Sequence, residues 1–390
     1  MSAAPRGKVI VSGILFWYPL AGVTYQFLHY LLGLRRLGFD VYYIEDSGRW
    51  VYDPVARSIT GDAWPNVSRV VKTLEAHGFA GKWAFRGAYP NGPCYGMTEQ
   101  QIFALYRECD ALLNVTGAQE IREEQLLIKR RIYVESDPFS AQVKLFNGDA
   151  KVRALLDAHH AHFTFGENLG QPDCDTPLDR PWLPTRQPVA TDLWFRAPLS
   201  SAGAKYNTIT TWHNDGKSVE YRGDVYHWTK DREFERFFEL PGRRPQLQFE
   251  LATDANAAAS ALLEKHGFQV SHGVGVSGEV DSYRDYICES RGEFTVARDQ
   301  YVRPYTGWFS DRSACYLAAG RPVITQETGF SKFIPSGRGL FGFTTLDDVL
   351  GALDAIESDY EAHARAALEI AREYFGADKV LASLMERLGL

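Results

Sequence analysis

The polar residues around position 310 follow a pattern that suits the binding of an anion. Ser310 is a residue type favoured at a helix N-cap, and a helix is predicted over Asp311–Ala319. The first N–H groups of a helix have no partner within it, so its N-terminus attracts phosphate groups. Gly307 would let the backbone approach a ligand closely. We therefore expect the N–H groups of residues 311–313 and the hydroxyls of Ser310 and Ser313 to bind a phosphate-bearing ligand. A helix that Ser310 merely caps is the alternative.

Two basic residues are candidates to neutralise such a ligand. Arg312 lies in the first turn of the predicted helix, and Lys230 stands at the start of another predicted helix. Lys230 is equally compatible with an ordinary surface lysine.

A polar loop follows the helix and the next predicted strand. Pro322–Thr325 reads as a short buried strand, and Glu327, Thr328 and Gly329 come directly after it. Ligands of open α/β sheets bind at the carboxyl ends of strands. Glu327 is therefore a candidate catalytic carboxylate that accepts hydrogen bonds from a ligand, with Thr328 and Gly329 beside it. An exposed loop carboxylate is the alternative.

Strand and helix patterns alternate along the chain, which predicts an α/β fold with parallel sheets covered by helices on both faces. The predicted strands are Lys8–Phe16, Phe39–Glu45, Ala111–Thr116, Arg131–Glu135, His162–Gly166, Thr208–Trp212, Gln246–Ala252, Phe268–His272, Gly292–Ala297 and Pro322–Thr325. The predicted helices are Gln26–Leu37, Val67–His77, Glu99–Arg107, Glu120–Arg130, Asp149–His159, Asp231–Phe238, Asp254–His266, Val280–Glu289, Asp311–Ala319, Leu346–Glu357 and Tyr360–Leu388. Gln171–Ser201 holds six prolines and little periodicity, so a domain linker is expected there.

Composition restricts the function further. With 390 residues the chain is long enough for about two domains, and a net charge of −7 argues against a nucleic-acid partner. No signal peptide or membrane-spanning run is evident. Five cysteines without a C-x-x-C spacing argue against structural zinc or a disulfide framework, and we expect no metal site. A cytoplasmic protein is expected.

The segment 307–330 also resembles the donor site of nucleotide-sugar glycosyltransferases with the GT-B fold. The matching residues are Ser310-Asp-Arg-Ser313, Ala319-Gly-Arg-Pro-Val323 and Glu327-Thr-Gly329. The resemblance implies two Rossmann-like domains facing a cleft, with a C-terminal helix that crosses back to the N-terminal domain. It also implies a donor such as a UDP-, GDP- or dTDP-linked sugar, a small-molecule or glycan acceptor, and no metal cofactor.

Domain limits follow from the linker and this resemblance. We expect an acceptor-side domain over 1–185, a linker over 186–206, a nucleotide-sugar domain over 207–358 and closing helices over 359–390. The oligomeric state is not predicted.

The loop after the first strand is the expected acceptor side. Trp17, Tyr18 and Tyr25 offer flat surfaces for an acceptor, and Gly22 permits its close approach. Aromatic packing between the domains is the alternative. A catalytic base is needed if the reaction inverts the sugar configuration, and Asp137 is preferred over Asp46 and Glu135, which also end predicted strands.

Some residues depart from the family pattern. Gly307 and Cys315 occupy positions where many retaining members carry glutamates, and no histidine follows the first strand as in many inverting members. Stereochemistry therefore stays open, as do a nucleotide-sugar epimerase and a non-catalytic scaffold of the same fold. The run 273–278 matches G-x-G-x-x-G, which leaves an NAD-dependent oxidoreductase as another alternative, but we interpret it as a flexible loop near the nucleotide base.

Overall fold

The computed structural model describes residues 5–87, 92–196, 199 and 203–390. Its strands are β1 Lys8–Ser12, β2 Asp40–Glu45, β3 Val51–Asp53, β4 Ser58–Thr60, β5 Trp83–Arg86, β6 Cys94–Gly96, β7 Ala111–Val115, β8 Arg131–Glu135, β9 Ala161–Thr164, β10 Leu183–Pro184, β11 Lys205–Thr210, β12 Val219–Tyr221, β13 Asp224–Tyr226, β14 Gln248–Thr253, β15 Gln269–His272, β16 Gly292–Thr295, β17 Val323–Gln326 and β18 Leu340–Phe343.

Helices connect these strands. They are α1 Ala21–Arg36, α2 Trp64–Ala76, α3 Glu99–Glu108, α4 Ser140–Phe146, α5 Ala150–Asp157, α6 Asp231–Glu235, α7 Leu240–Arg243, α8 Ala257–Lys265, α9 Gly273–Ser277, α10 Val280–Cys288, α11 Asp299–Val302, α12 Asp311–Ala318, α13 Leu346–Ser358, α14 Tyr360–Ile370 and α15 Ala377–Arg387. No described helix is both long enough and apolar enough to cross a membrane.

Two sheets form the framework. The first has eight strands in the order β10-β9-β8-β7-β1-β2-β5-β6, and only β6 runs antiparallel to its neighbour. The second has six parallel strands in the order β15-β14-β11-β16-β17-β18. Central strands such as β7 bury every residue, as expected where helices cover both faces of a parallel sheet. The predicted pair of Rossmann-like α/β units is therefore confirmed.

The C-terminal helix packs on the first helix of the chain, which confirms the predicted crossing. The break that allows it was not predicted, because Tyr360–Leu388 is not one continuous helix. A π-helical turn at Ala371–Phe375 and Gly376 separate α14 from α15. There the Val189 N–H donates to the carbonyl of Phe375 at 2.6 Å, and the Ala377 N–H donates to the Val189 carbonyl at 2.9 Å. Backbone groups of Phe375 and Ala377 therefore bond Val189, in the segment that joins the two sheets, instead of continuing the helix.

A separate two-stranded hairpin, which follows β11 in the chain, reaches across to the half of the molecule that holds the first sheet. Strands β12 and β13 form this hairpin, and its tyrosines contact Phe139, which precedes α4. The ring of Phe139 lies 4.6 Å from that of Tyr226 and 5.9 Å from that of Tyr221. The Asn147 side chain adds a hydrogen bond of 2.8 Å to the carbonyl of Glu220. The hairpin therefore ties the two halves together on one side of the cleft.

One predicted helix is wrong, and the predicted linker lies partly outside the described residues. Glu120–Arg130 is not an α-helix but a single 3-10 turn at Glu123–Leu127, because the Arg122 and Gln125 side chains make tertiary contacts to Asp46 and Tyr106. The predicted linker over 186–206 falls partly on residues 197, 198 and 200–202, which lie outside the described residues.

The contact between α1 and α15 depends on a glycine. A Cβ atom on Gly33 would lie 2.5 Å from Cδ1 of Leu381 and 2.8 Å from Cβ of Ala377. We expect Gly33→Ala to lower the free energy of unfolding by about 1 to 3 kcal/mol through overpacking, although alanine favours helices. Gly351→Ala is the matched control, because a Cβ there meets nothing within 4 Å, and it should stabilise the protein by about 0.5 to 1 kcal/mol. Denaturant titration measures both, and a stabilising Gly33→Ala would contradict this close contact.

Candidate functional site

A cavity of about 710 Å³ lies between the two sheets, at the carboxyl ends of their strands. Seven of the predicted site residues line it: Tyr18, Gly22, Asp137, Lys230, Ser310, Asp311 and Arg312. Further lining residues that the sequence did not single out are Gln26, Tyr52, Arg57, Asp254, Tyr283, Arg298 and Trp308. The cavity has the location expected for a ligand of an open α/β sheet.

The N-terminus of α12 faces this cavity without a side-chain cap. Ser310 occupies the N-cap position with extended backbone angles (φ −84°, ψ 135°), yet its hydroxyl makes no capping hydrogen bond. Its side chain is 7% exposed and lines the cavity. The Ser310 hydroxyl and the N–H groups of residues 312 and 313 are thus available to a ligand, as at other helix N-termini that bind anions, whereas the N–H of Asp311 bonds its own carboxyl.

The Arg312 side chain lines the cavity, but all of its hydrogen bonds are made to strands of the second sheet. Its guanidinium donates to Oε1 of Glu293 at 2.5 Å, to the carbonyl of Ile209 at 2.6 Å and to the hydroxyl of Thr295 at 2.9 Å. These three partners lie on β16 and at the end of β11. The predicted ligand-neutralising cation is therefore engaged in an ion pair that fixes α12 to the second sheet.

Lys230 is the unusual cation of the cavity. Its side chain is 5% exposed and has no hydrogen-bond or ion-pair partner among the residues that the structure describes. Burial lowers the pKa of Lys230 far below its ordinary value, and the charges of Arg312 and Arg298 lower it further. A buried ammonium without a partner is costly, which is the arrangement expected where an anionic ligand completes the site.

Arg298 is a second cavity cation that sequence reasoning missed. Its guanidinium stacks on the ring of Trp228 at 3.9 Å and donates to the Trp228 carbonyl at 3.0 Å. It also lies 3.5 Å from Oδ1 of Asp137, which in turn accepts a hydrogen bond from the Tyr301 hydroxyl. The available signal was its position, since Arg298 is the first charged residue after the strand predicted over 292–297.

Asp311 is the first residue of α12 and lines the cavity. Burial raises the pKa of its carboxyl to about 7, and the nearby charge of Asp137 contributes to the rise. The site therefore combines a carboxyl group of raised pKa with the amine of Lys230 and the guanidinium of Arg298.

A buried carboxylate shapes the acceptor-side loop. Glu45 accepts hydrogen bonds from the N–H groups of Phe16 and Trp17, both at 2.8 Å. The next aromatic residue, Tyr18, stacks on Tyr52 of the β3–β4 hairpin with ring centroids 5.1 Å apart. These two rings form an aromatic wall of the cavity on the side of the first sheet.

Trp17 and Tyr25 do not join that wall and are absent from the cavity lining. Trp17 lies under the guanidinium of Arg49 at 4.8 Å. The Tyr25 ring packs 4.6 Å from that of Trp194, and its hydroxyl donates to the Val280 carbonyl at 3.2 Å. For Tyr25 the alternative of packing between the two halves describes what is observed.

The loop after β17 supports itself and does not line the cavity. Oε1 of Glu327 accepts the N–H groups of Thr328 at 3.1 Å and Gly329 at 2.6 Å. The Thr328 hydroxyl donates to the carbonyl of Trp308, and Gly329 takes a positive φ of 95° against Tyr305. The Glu327 carboxylate therefore holds its own turn outside the cavity lining, and its contact with a sugar stays a prediction.

Gly307 and Ser313 also lie outside the cavity lining. Gly307 has a φ of 79°, and a Cβ there would lie 2.5 Å from the backbone nitrogen of Asn168. The close approach that its glycine permits is thus to the other half of the chain. Ser313 is fully buried, and its hydroxyl has no hydrogen-bond partner.

The other strand-end acids have structural partners. Asp46 pairs with Arg86 at 3.0 Å and Arg122 at 3.1 Å. Glu135 accepts hydrogen bonds from Gln142 and Thr164, and burial raises its pKa to about 8. Of the three candidate bases, only Asp137 reaches the cavity.

The G-x-G-x-x-G run is not the loop that was predicted. Gly273–Ser277 forms the short helix α9, and the Ser277 hydroxyl donates to the Gly273 carbonyl at 2.7 Å. A Cβ on Gly273 would lie 3.1 Å from the backbone of Thr253, so this glycine serves close packing of the helix on β14. Gly273, Val274 and Ser277 still line the cavity. Among the described residues no cluster of His, Cys, Asp or Glu is arranged to hold a metal ion.

Comparison with solved structures identifies the fold. An alpha-glucosyltransferase in complex with UDP-glucose and DNA containing an abasic site matches with a TM-score of 0.59 and 10% identity, over 98% of this chain and 100% of its own. HepE (Alr3699) of Anabaena, in complex with UDP, matches at 0.55 and 10% identity, over 98% and 100% of the chains. AviGT4, a glycosyltransferase involved in Avilamycin A biosynthesis, matches at 0.51 and 12% identity, over 98% and 97%. No protein-family model matches the sequence, and neither does any curated protein. The protein therefore has the GT-B fold that the resemblance implied.

The unpartnered lysine generates a stability prediction. We expect Lys230→Met to raise the free energy of unfolding by about 1 kcal/mol or more at neutral pH, because it removes a buried and unsatisfied amine. Since the folded protein holds this lysine at a lowered pKa, the penalty shrinks as the pH rises toward about 10.4, where the unfolded lysine also loses its proton. Thermal unfolding across this pH range tests both statements.

Lys151→Met is the control for this experiment, because Lys151 is an exposed lysine on α5. It should leave the melting temperature nearly unchanged. A lower melting temperature for Lys230→Met would show that Lys230 has stabilising partners in the unliganded protein.

Proposed function

We propose that the protein is a glycosyltransferase that moves a sugar from a nucleotide-diphosphate donor to an acceptor. The observation that carries this proposal is the buried ammonium of Lys230, which has no partner among the described residues and shares the cavity with the uncapped N-terminus of α12. A diphosphate satisfies both features, because it brings negative charge to the ammonium and acceptor oxygens to the helical N–H groups.

The same groups would stabilise the leaving diphosphate. Cleavage of the bond to the sugar leaves an additional negative charge on a phosphate oxygen. The α12 N-terminus, Arg298 and a Lys230 that the bound diphosphate keeps protonated provide positive potential for that charge in the cavity. We propose that these groups take the place of a metal ion.

The acceptor is proposed to bind on the side of the first sheet. Tyr18, Tyr52 and Gly22 line that side, and aromatic rings are suitable surfaces for sugar rings. Asp137 is the only described cavity carboxylate that comes from the first sheet, so we propose it as the base if the transfer inverts configuration.

Structural neighbours support this class of reaction. The alpha-glucosyltransferase was solved with UDP-glucose, and HepE was solved with UDP. The alpha-glucosyltransferase also holds DNA, whereas we propose a small molecule or a glycan as the acceptor of this protein, which has a net charge of −7.

Donor binding is the first test. We expect at least one of UDP, GDP and dTDP to bind in calorimetry, and Lys230→Met to weaken its affinity by roughly tenfold to a hundredfold through loss of a charge-assisted hydrogen bond. Ser310→Ala should weaken it less, and Lys151→Met should not change it. Since Lys230→Met is expected to fold at least as stably as the native protein, unchanged affinity in this variant would remove the central claim.

Product analysis separates transfer from the alternatives of the same fold. A transferase incubated with its donor alone should release only slow hydrolysis products, sugar and nucleoside diphosphate. An epimerase would convert the sugar while it stays attached to the nucleotide, and a scaffold would bind the donor without changing it. Chromatography of the nucleotide sugars, with Lys230→Met as the blank, distinguishes the three.

A further inference from the structure

An acidic residue occupies the place where the diphosphate is proposed to bind. Asp311 is the first residue of α12, directly after Ser310, and its side chain lines the cavity. An ionised carboxylate at this position would repel the diphosphate and compete with it for the helical N–H groups. If the protein binds a nucleotide diphosphate, as proposed above, the charge of this carboxyl group must be removed or compensated when the ligand binds.

The environment of Asp311 contains both signs of charge. Besides burial, Asp137, two residues after β8, places a second acid nearby and raises the pKa of the Asp311 carboxyl, whereas hydrogen bonds from the N–H group of Asp311 itself and from Gln26 on α1 lower it. Arg312 follows it on α12, where Cys315 also faces it one turn later. Tyr30 on α1 and Tyr283 on α10 are the remaining titratable groups that interact with its charge. Of the charged groups, only Arg312 favours the ionised form, and its guanidinium is engaged by Glu293.

A second observation points to an anionic ligand at this place. Lys230 and Arg298 line the same cavity, and the buried Lys230 ammonium has no partner among the described residues. Asp311 does not neutralise it, because no ion pair joins the two side chains. The carboxyl group and the ammonium are thus separate elements of one site, which is consistent with a ligand that contacts both.

We propose that Asp311 binds the donor as a carboxylic acid and donates its proton in a hydrogen bond to an oxygen of the diphosphate. In this form the side chain is neutral, so it adds a hydrogen-bond donor to the helix N-terminus instead of a repelling charge. Donor binding is then linked to the uptake of one proton by the protein. Asp311 thereby becomes a determinant of donor affinity that changes with pH.

The pH range of this effect follows from the carboxyl group. Burial, together with the charge of Asp137, raises the pKa of Asp311 to about 7. Below this pH the acid form predominates and the donor binds. Above it the carboxylate must first take up a proton, so affinity falls with rising pH.

The experiment measures nucleotide-sugar affinity by calorimetry as a function of pH. UDP-glucose, GDP-mannose and dTDP-glucose are suitable probes, because both phosphates of a nucleotide sugar are esterified and do not titrate near neutrality. For the native protein we expect affinity to fall about 30-fold between about pH 6 and pH 8.5, if the ionised form does not bind. Asp311→Asn keeps the shape and a hydrogen-bond donor without the charge, so its affinity should fall much less over this range than that of the native protein, and any remaining fall is assigned to protonation of Lys230.

Two further variants make the result specific. Asp137→Asn removes the charge that helps to raise the pKa of Asp311, so the midpoint of the affinity profile should move to lower pH. Asp347→Asn is the matched control, since Asp347 is an exposed acid in the first turn of α13, and its profile should equal that of the native protein.

The outcomes separate this inference from the proposed function. If a probe binds and Asp311→Asn keeps the full pH dependence, another group such as Lys230 carries it, and the inference is overturned while donor binding stands. A native affinity that does not change with pH overturns the inference as well. If no probe binds at any pH, the proposed function fails and the inference falls with it.

Discussion

The geometry of the candidate site depends on one buried ion pair. The Arg312 guanidinium and the Glu293 carboxylate, whose side chain is completely inaccessible to solvent, join α12 to the strands of the second sheet. The Thr208 hydroxyl donates to the same carboxylate, and the Ile209 carbonyl accepts from the guanidinium, so β11 is held as well. Breaking such a pair by removal of one partner leaves an uncompensated charge in the interior, which is strongly destabilising. The first turn of α12 is therefore fixed before any ligand arrives, and its free N–H groups are preorganised.

Contacts between the two halves of the chain form another side of the cavity. The Trp308 indole N–H donates to the Ser136 carbonyl at 2.9 Å, next to the pairing of Asp137 with Arg298 and Tyr301. Asp137 is thus held by residues between β16 and α12 although it follows a strand of the first sheet. The contact between Trp308 and Ser136 thereby helps to place the Asp137 carboxylate in the same cavity as the N-terminus of α12. A largely buried amine without a partner among the described residues, such as that of Lys230, lowers the stability of the protein.

The sequence was informative where local rules decide the outcome. Periodicity and glycine or proline positions predicted the central strands of both sheets and most of the longer helices. A strand end pointed to Asp137, and helix starts pointed to Lys230 and Ser310. It was uninformative where a side chain had to choose between partners distant in the chain. Both Arg312 and Arg298 line the cavity, but nothing local indicates that Arg312 pairs with the buried Glu293 whereas Arg298 pairs with Asp137. Likewise, Glu327 has the residue type and position of a ligand-binding acid, but two nearby N–H groups satisfy it.

The packing of α15 on α1 has a consequence for synthesis on the ribosome. Leu381, Leu384 and Met385 are buried by this contact, and the groove that receives them includes Gly33 of the first helix. The first sheet and its helices leave the exit tunnel long before residues 377–387 are translated. Until then the nascent chain exposes an apolar groove, and the second half must fold while the first is incomplete. The first helix of this fold thus packs on the last. While the residues between them are being translated, the exposed apolar groove favours aggregation or binding by a chaperone.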